Sequence, residues 1–278
     1  METFRDAFID ARDGTRLFVR TGAPSGQAKG TVVITHGRGE HSGRYIHVAS
    51  ALMTHGFAVA LFDLRGHGRS SGRRGDLPGY ASLLDDLGCV LQRTCVDAAV
   101  PMFLFGHSLG GQIVLNYLIR NEEKNCRGAV VASPYLRLAF RPERWRVALA
   151  GILRRTLPAI TLRTFLAPSR LSRDEAHLVS LPDHDLIHHR ISSRMFDAIE
   201  QGAAAALTGA PRMHVPLLLI HGANDSVTSV EATREFFDAA GAEDKTLQIF
   251  PGMLHETHND LGREQVIDTI VRWIAARC

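Results

Sequence analysis

The 278-residue chain is long enough for one large α/β domain or for such a domain with an insertion. Hydrophobic residues make up 45% of it, enough for a sizeable core, and the net charge of +3 gives no reason to expect a nucleic-acid partner. The positive charge lies mainly in one segment, because residues 134–212 hold 12 of the 32 Lys and Arg but only 7 of the 29 Asp and Glu.

The N-terminus is charged and has no apolar signal region, and no apolar run reaches the length of a membrane span. The four cysteines follow neither a metal-ligand spacing nor a disulfide framework. These features predict a cytoplasmic protein, with peripheral contact to a membrane left open. They do not decide the oligomeric state.

Apolar runs and periodic stretches alternate through the first half of the chain and return near its end. The predicted strands are Phe4–Ile9, Arg16–Arg20, Thr31–Thr35, Phe57–Phe62, Met102–Phe105, Gly128–Ala132, Val215–His221 and Thr246–Phe250. The predicted helices are Tyr45–His55, Leu83–Val96, Gln112–Ile119, Val230–Ala240 and Gln265–Ala276. This order predicts an α/β fold, in which a mostly parallel sheet carries helices on both faces.

The alternation stops after Pro134. Residues 135–210 are rich in Arg, Leu and Ala and contain no comparable strand. We therefore predict that residues 1–133 and 213–278 form the catalytic domain. Residues 134–212 are predicted to be an inserted helical cap over the carboxyl edge of the sheet, where ligands bind in open α/β sheets.

A serine lies between a predicted strand and a predicted helix, in Gly106-His107-Ser108-Leu109-Gly110. This G-x-S-x-G pattern is typical of a sharp turn that presents the hydroxyl of a nucleophile above the sheet. Gly106 and Gly110 allow the strand and the helix to pass closely, and the helix N-terminus directs N–H groups at the reacting oxygen. Ser108 is the predicted nucleophile.

A serine nucleophile needs a histidine base and an acid. In α/β folds with a G-x-S-x-G turn, the acid follows the serine along the chain and the histidine comes last. Asp225 follows one late strand and His255 follows the next. His258 is a rival base that lies farther from the strand end. The oxyanion needs two N–H donors, and the order of elements predicts those of Leu109 and Arg38.

Three further stretches carry a resemblance to a known family. Together with the serine turn, His36–Tyr45, Asp63–Ser70 and His255–Asp260 resemble the monoacylglycerol lipase and lysophospholipase branch of the α/β-hydrolases. The resemblance implies a triad of Ser108, Asp225 and His255, an oxyanion hole from the N–H groups of Arg38 and Leu109, and monoacylglycerols or similar single-chain acyl esters as substrates. The family usually ends its last stretch in Glu where this chain has Asp260.

Arg38 also departs from the family, which has a small or apolar residue at that position. Its backbone N–H is unaffected, but a guanidinium near the mouth of the site is able to alter substrate choice. The alternatives left open are a lysophospholipase, a short-chain carboxylesterase, a thioesterase or carbon–carbon bond hydrolase and, less favoured, an aminopeptidase or a non-catalytic ligand receptor.

No metal or organic cofactor is expected. Gly66, Gly68 and Gly72 are spaced too widely for a dinucleotide-binding loop, and His184 and His188 lack a third ligand and are predicted on a solvated helix face. The stretch Arg141–Thr156 has an apolar stripe flanked by arginines. It is predicted to be a cap helix packed on the main domain, and docking on an anionic lipid surface is the alternative.

Overall fold

The computed structural model describes residues 4–95, 97, 99–121, 123–141, 143, 145, 151–153 and 155–278. The strands are β1 Phe4–Asp10, β2 Arg16–Gly22, β3 Thr31–Thr35, β4 Ala58–Phe62, β5 Met102–His107, β6 Cys126–Ala132, β7 Thr161–Arg163, β8 Arg190–Ser192, β9 Leu217–Gly222 and β10 Lys245–Phe250. The labelled helices are α1 Ile46–Thr54, α2 Ala81–Thr94, α3 Leu109–Arg120, α4 Glu175–Ser180, α5 Ser193–Gly209, α6 Val230–Ala239 and α7 Arg263–Ala275.

Eight strands form one sheet in the order β1-β2-β4-β3-β5-β6-β9-β10. The strands β1 and β2 are antiparallel, whereas every neighbouring pair from β4 to β10 is parallel. Parallel strands end at the same edge of a sheet, so the loops after β3, β5, β9 and β10 are brought to one edge. That edge carries the candidate site.

Successive residues of the buried strands contribute to two separate cores. Val33 belongs to one core together with side chains of α2, α3, α5 and α6, whereas Val32 and Ile34 belong to the other core together with side chains of α1 and α7. Because side chains alternate across a strand, the sheet is covered by helices on both faces. The predicted α/β fold is confirmed.

The region predicted as a helical cap also contains strands. Thr161–Arg163 pairs with Arg190–Ser192 in a two-stranded antiparallel sheet. These strands were not predicted, because each has only three residues, which is too short for a period-2 pattern to be recognised. The helix α5 packs on α3, where the amides of Gln112 and Asn116 donate to its Ile199 and Gly202 carbonyls. The division at residues 134 and 212 stays a prediction.

Two further expectations concern the same region. His184 and His188 do not share a helix: a short 3-10 turn ends at Leu186, and the His188 ring is buried against that of His67. Much of the predicted amphipathic stretch, including Arg144, Leu149 and Arg154, lies outside the described residues. Within the described ranges, no helix is both long and apolar enough to cross a bilayer.

Candidate active site

Ser108 occupies the turn between β5 and α3 with φ 52° and ψ −117°, a conformation that residues other than glycine rarely adopt. The close approach predicted for the flanking glycines is present. A Cβ atom on Gly106 would lie 2.5 Å from the Gly110 carbonyl oxygen, and one on Gly110 would lie 2.1 Å from that of Thr35. Glycine is therefore required at both positions, and the strained turn is held by the elements around it.

The three residues predicted for acyl transfer form one hydrogen-bonded chain. The Ser108 Oγ–His255 Nε2 distance is 3.1 Å, and the His255 Nδ1–Asp225 Oδ2 distance is 2.8 Å. A carboxylate only accepts, so His255 carries its proton on Nδ1 and leaves Nε2 free to accept from the serine hydroxyl. The structure thus brings together residues 108, 225 and 255 from three separate loops.

Asp225 is held by more donors than His255 alone. Its Oδ1 accepts from the backbone N–H groups of Val227 at 2.7 Å and Thr228 at 3.0 Å. Its Oδ2 also accepts from the Thr228 hydroxyl at 2.9 Å and from His221 Nε2 at 3.0 Å. Sequence reasoning missed His221, although its position at the end of a buried strand, four residues before the acid, was a usable signal.

This arrangement changes the proton affinities of the pair. Burial opposes the charge of Asp225, yet the neighbouring His255 and His221 hold the pKa of this carboxyl well below its ordinary value. Burial also lowers the pKa of His255, but the Asp225 carboxylate outweighs it, so the pKa is raised above the ordinary 6.5. Asp225 is therefore a stable anion facing a histidine of increased basicity.

The loop predicted to supply an oxyanion donor lies against the nucleophile. A Cβ atom on Gly37 would lie 3.2 Å from Ser108 Cβ, which places the next residue, Arg38, beside the serine. Leu109 is the first residue of α3, so its N–H has no intrahelical acceptor. In the described part of the chain, no hydrogen bond occupies the N–H of Arg38.

A buried ionic network fixes this loop to the loop that carries His255. The Glu40 carboxylate accepts from the Gly37 N–H at 2.7 Å and from Arg44 Nε at 2.9 Å. The other end of the Arg44 guanidinium donates to Glu256 at 2.7 Å, and Glu256 follows His255 directly. Arg44, Glu40 and Glu256 are all less than 10% exposed, so the network is inside the protein. Sequence reasoning quoted these residues only as part of the resemblance.

The rival base lies behind the site. His258 is fully buried, stacks on the Tyr45 ring at 4.8 Å and meets the His107 ring edge-on at 4.8 Å. Neither of its ring nitrogens has a hydrogen-bond partner in the described ranges, and burial holds its pKa well below the ordinary value. It does not hydrogen-bond to Ser108, so the geometry favours His255.

The glycines after β4 serve a turn. Gly66, Gly68 and Gly72 all have positive φ, and a Cβ atom on Gly68 would collide with the Asp63 carboxylate. Over the ranges that the structure describes, no three His, Cys, Asp or Glu residues are placed to hold a metal ion.

A mostly parallel, helix-covered sheet with a serine at a strained strand-to-helix turn defines an α/β-hydrolase. A model of the serine aminopeptidase S33 family matches residues 26–262. The Mycolicibacterium smegmatis monoacylglycerol lipase is 30% identical over 95% of this chain and 94% of its own length. The chain belongs to the monoacylglycerol lipase branch of the α/β-hydrolases and is a carboxylic ester hydrolase.

Two further comparisons agree. The crystal structure of a Paleococcus ferrophilus monoacylglycerol lipase superposes with a TM-score of 0.85 at 32% identity, covering 94% of this chain and 99% of that one. An abhydrolase domain-containing protein of Dictyostelium discoideum is 34% identical over 95% of this chain, which spans only 28% of that longer protein.

Proposed function

We propose that this enzyme hydrolyses monoacylglycerols or similar single-chain acyl esters through an acyl-enzyme formed on Ser108. The observation that carries the proposal is the unbroken chain from Ser108 Oγ through His255 to Asp225, with distances of 3.1 and 2.8 Å. The substrate class rests on the likeness to proteins that are monoacylglycerol lipases.

In the proposed mechanism, His255 Nε2 takes the proton of Ser108 as the oxygen attacks the ester carbonyl. The N–H groups of Arg38 and Leu109 stabilise the oxyanion of the tetrahedral intermediate. The imidazolium then protonates the leaving alcohol. The same histidine activates water to release the acid, and Asp225 holds its tautomer and stabilises its charged form throughout.

We also propose that residues 134–212 act as a cap that contacts lipid. The backbone N–H of His188 donates to the Gly39 carbonyl at 2.8 Å, so this segment lies on the loop beside Ser108. Several large apolar side chains of the segment are exposed to solvent: Trp145, Ile152, Leu157, Phe165 and Val179. Apolar groups on a net-positive segment suit the surface of an anionic membrane. Sedimentation with anionic vesicles at low salt tests this proposal, and failure to co-sediment there would exclude membrane contact.

A substrate panel tests the proposed activity. It compares monoacylglycerols of several acyl lengths, short p-nitrophenyl esters and an aminoacyl anilide. We expect preference for the monoacylglycerols, loss of turnover in Ser108→Ala, and covalent labelling of the parent enzyme by a fluorophosphonate. Cleavage of the short esters alone would refute the lipid substrate, and hydrolysis by Ser108→Ala near the parent rate would refute the nucleophile.

A matched control separates chemistry from folding. Ser133 is another buried serine with positive φ, 44°, and its hydroxyl has no hydrogen-bond partner in the described chain. Ser133→Ala therefore makes the same chemical change in a similar backbone and is expected to label normally. Alanine keeps the Cβ atom, so neither variant relieves backbone strain, and both are expected to melt near the parent temperature.

A further inference from the structure

The main chain on both sides of His255 is hydrogen-bonded to other parts of the molecule. The N–H of Leu254, the residue before it, donates to the Asp260 carboxylate at 2.7 Å. The N–H of Glu256, the residue after it, donates to the Leu171 carbonyl at 2.8 Å. Leu171 belongs to the proposed cap, so one of the peptide groups beside the base is held by the cap itself.

Asp260 is a buried anion surrounded by donors. Its side chain has no exposed surface. Besides the Leu254 N–H, it accepts from the backbone N–H groups of Leu261 at 2.7 Å and Arg173 at 2.8 Å. The Arg173 Nε also lies 3.1 and 3.2 Å from its two oxygens. A carboxylate taken from water needs donors and a cation in exchange, and Arg173 of the proposed cap supplies one donor and the cation.

Further hydrogen bonds join the same two segments. The Ser172 hydroxyl donates to the Asn259 carbonyl at 3.0 Å. The Asp174 carboxylate accepts from Arg263 Nη1 at 2.9 Å, at the start of α7. Four successive residues, 171–174, therefore bond to the chain that carries and follows the base. This part of the proposed cap is fixed on the base loop and does not only lie over the site.

We propose that Asp260 and Arg173 position His255 for proton transfer, so that this part of the cap sets the geometry of the base. The inference rests on the proposed function and deepens it. The 3.1 Å from His255 Nε2 to Ser108 Oγ and the 2.8 Å from Nδ1 to Asp225 both depend on where the main chain of the base is held. Misplacing a catalytic group by about 1 Å lowers rates about 10²-fold.

Asp260→Asn is the most direct test. Two backbone N–H groups point at Oδ1, so the amide oxygen is expected there and the NH2 group at Oδ2, against the Leu254 N–H. Two donors repel each other, and the residue before His255 is displaced. The rate of labelling by a fluorophosphonate with a short alkyl group, which has no acyl chain to bind under the cap, is expected to fall at least about tenfold, and kcat with it.

The KM for a monoacylglycerol separates positioning from substrate binding. It is expected to change less than about threefold in Asp260→Asn, because the variant alters the base and leaves the acyl-binding surface in place. If this part of the cap served only to bind the acyl chain, KM would rise and the small fluorophosphonate would label at the parent rate. That pair of results would overturn the proposal.

Arg173→Met separates position from charge. It removes a cation where Asp260→Asn removes an anion, so a purely electrostatic effect on His255 would move the labelling rate in opposite directions. Positioning predicts a fall in both variants. The fall is expected to be smaller in Arg173→Met, because its own backbone N–H still binds the carboxylate. A rate that rises in Arg173→Met, or one that is unchanged in Asp260→Asn, would refute the positioning role.

Matched controls remove the same groups elsewhere. Asp86 is another carboxylate without exposed surface, and it makes a two-pronged contact with Arg65 at 2.6 Å. Arg277 makes two contacts with Asp244, at 2.8 and 2.6 Å. Asp86→Asn and Arg277→Met are expected to lower the melting temperature and to label at the parent rate per folded enzyme. A fall in labelling at Asp86 as large as that at Asp260 would assign the effect to lost stability and overturn the proposal.

Two further outcomes remain decisive. If Asp260→Asn fails to fold, Arg173→Met makes the comparison alone, and a parent labelling rate in it would overturn the proposal. A parent enzyme that neither labels nor cleaves any ester refutes the proposed function, and the NMR titration of His255 then tests the positioning. Its pKa is raised because Asp225 is near, so displacement in Arg173→Met is expected to lower that pKa, although loss of the cation alone would raise it. An unmoved or raised pKa would refute the positioning.

Discussion

Replacing Asp225 with asparagine tests the role of the acid, because the structure dictates how the amide must sit. Oδ1 faces two fixed backbone donors, the N–H groups of Val227 and Thr228, so the amide oxygen has to occupy that position. The NH2 group is then placed at Oδ2, where His255 Nδ1 and His221 Nε2 both donate in the parent enzyme. Two donors cannot face one another, so both imidazoles must change tautomer or move away.

The tautomeric change removes the base. With Nδ1 accepting from the amide, His255 carries its proton on Nε2 and presents a donor to Ser108, which it cannot deprotonate. In serine proteases the same substitution lowers kcat about 10⁴-fold, and we expect a loss of that order here. At about 1.4 kcal/mol per tenfold change, this corresponds to about 5.5 kcal/mol of transition-state stabilisation.

The pH dependence of kcat/KM is a second test of the Asp225→Asn substitution. His255 must be neutral to act, and its pKa is raised, so kcat/KM of the parent enzyme is expected to rise with pH through a value above 6.5. Loss of the carboxylate destabilises the imidazolium, so the residual activity of Asp225→Asn is expected to rise at lower pH. Asp268→Asn is the control, because that carboxylate pairs with Arg272 on the surface of α7. The reasoning would be refuted if Asp225→Asn kept activity within tenfold of the parent, or if its kcat/KM rose over the same pH range as that of the parent enzyme.

Two further predictions concern stability and are measured as free energies of unfolding in urea. Gly110→Ala puts a Cβ atom 2.1 Å from the Thr35 carbonyl oxygen and is expected to lower the free energy of unfolding by at least about 2 kcal/mol. In the control Gly26→Ala the new Cβ atom has no neighbour within 4 Å, so the free energy of unfolding is expected to change little. Equal effects of the two substitutions would contradict the packing argument. Arg44→Met leaves two buried carboxylates without their cation and is expected to cost about 3–5 kcal/mol. Arg272→Met breaks an exposed pair and is expected to stay within about 0.5 kcal/mol, so a similar loss in both would argue against the buried network.

The sheet was predictable because its signals are local. Apolar runs such as Thr31–Thr35 mark strands that are buried on both faces, and the turn at Ser108 has a pattern of its own. The order of the predicted triad residues, serine, acid and histidine, was taken from the fold class, and parallel strands bring the loops that carry them to one edge. The start of α2 at Ala81, two residues before the predicted Leu83, reflects the usual uncertainty at helix ends.

Other features depend on contacts that no local pattern encodes. The position of His221 at the end of a buried strand, four residues before Asp225, marks it as a candidate, but only the fold shows that its Nε2 contacts the Asp225 carboxylate. The ribbon of β7 and β8 pairs residues 161–163 with residues 190–192, and its last residue, Ser192, donates its N–H to the Gly75 carbonyl at 2.7 Å. Such pairings depend on tertiary packing, which overrides weak local preference.

The buried ionic network of Glu40, Arg44 and Glu256 joins the loop after β3 to the loop that carries His255. Glu40 and Glu256 bring two carboxylates, whereas Arg44 supplies one cation, so on these three groups the network has an excess negative charge. Both carboxylates raise the pKa of His255, in addition to the larger effect of Asp225. In the proposed mechanism His255 becomes an imidazolium as Ser108 loses its proton, so we expect this negative charge to favour the transition state more than the resting enzyme. A neutral apolar cluster of the same volume would hold the two loops together equally well and would not stabilise that charge.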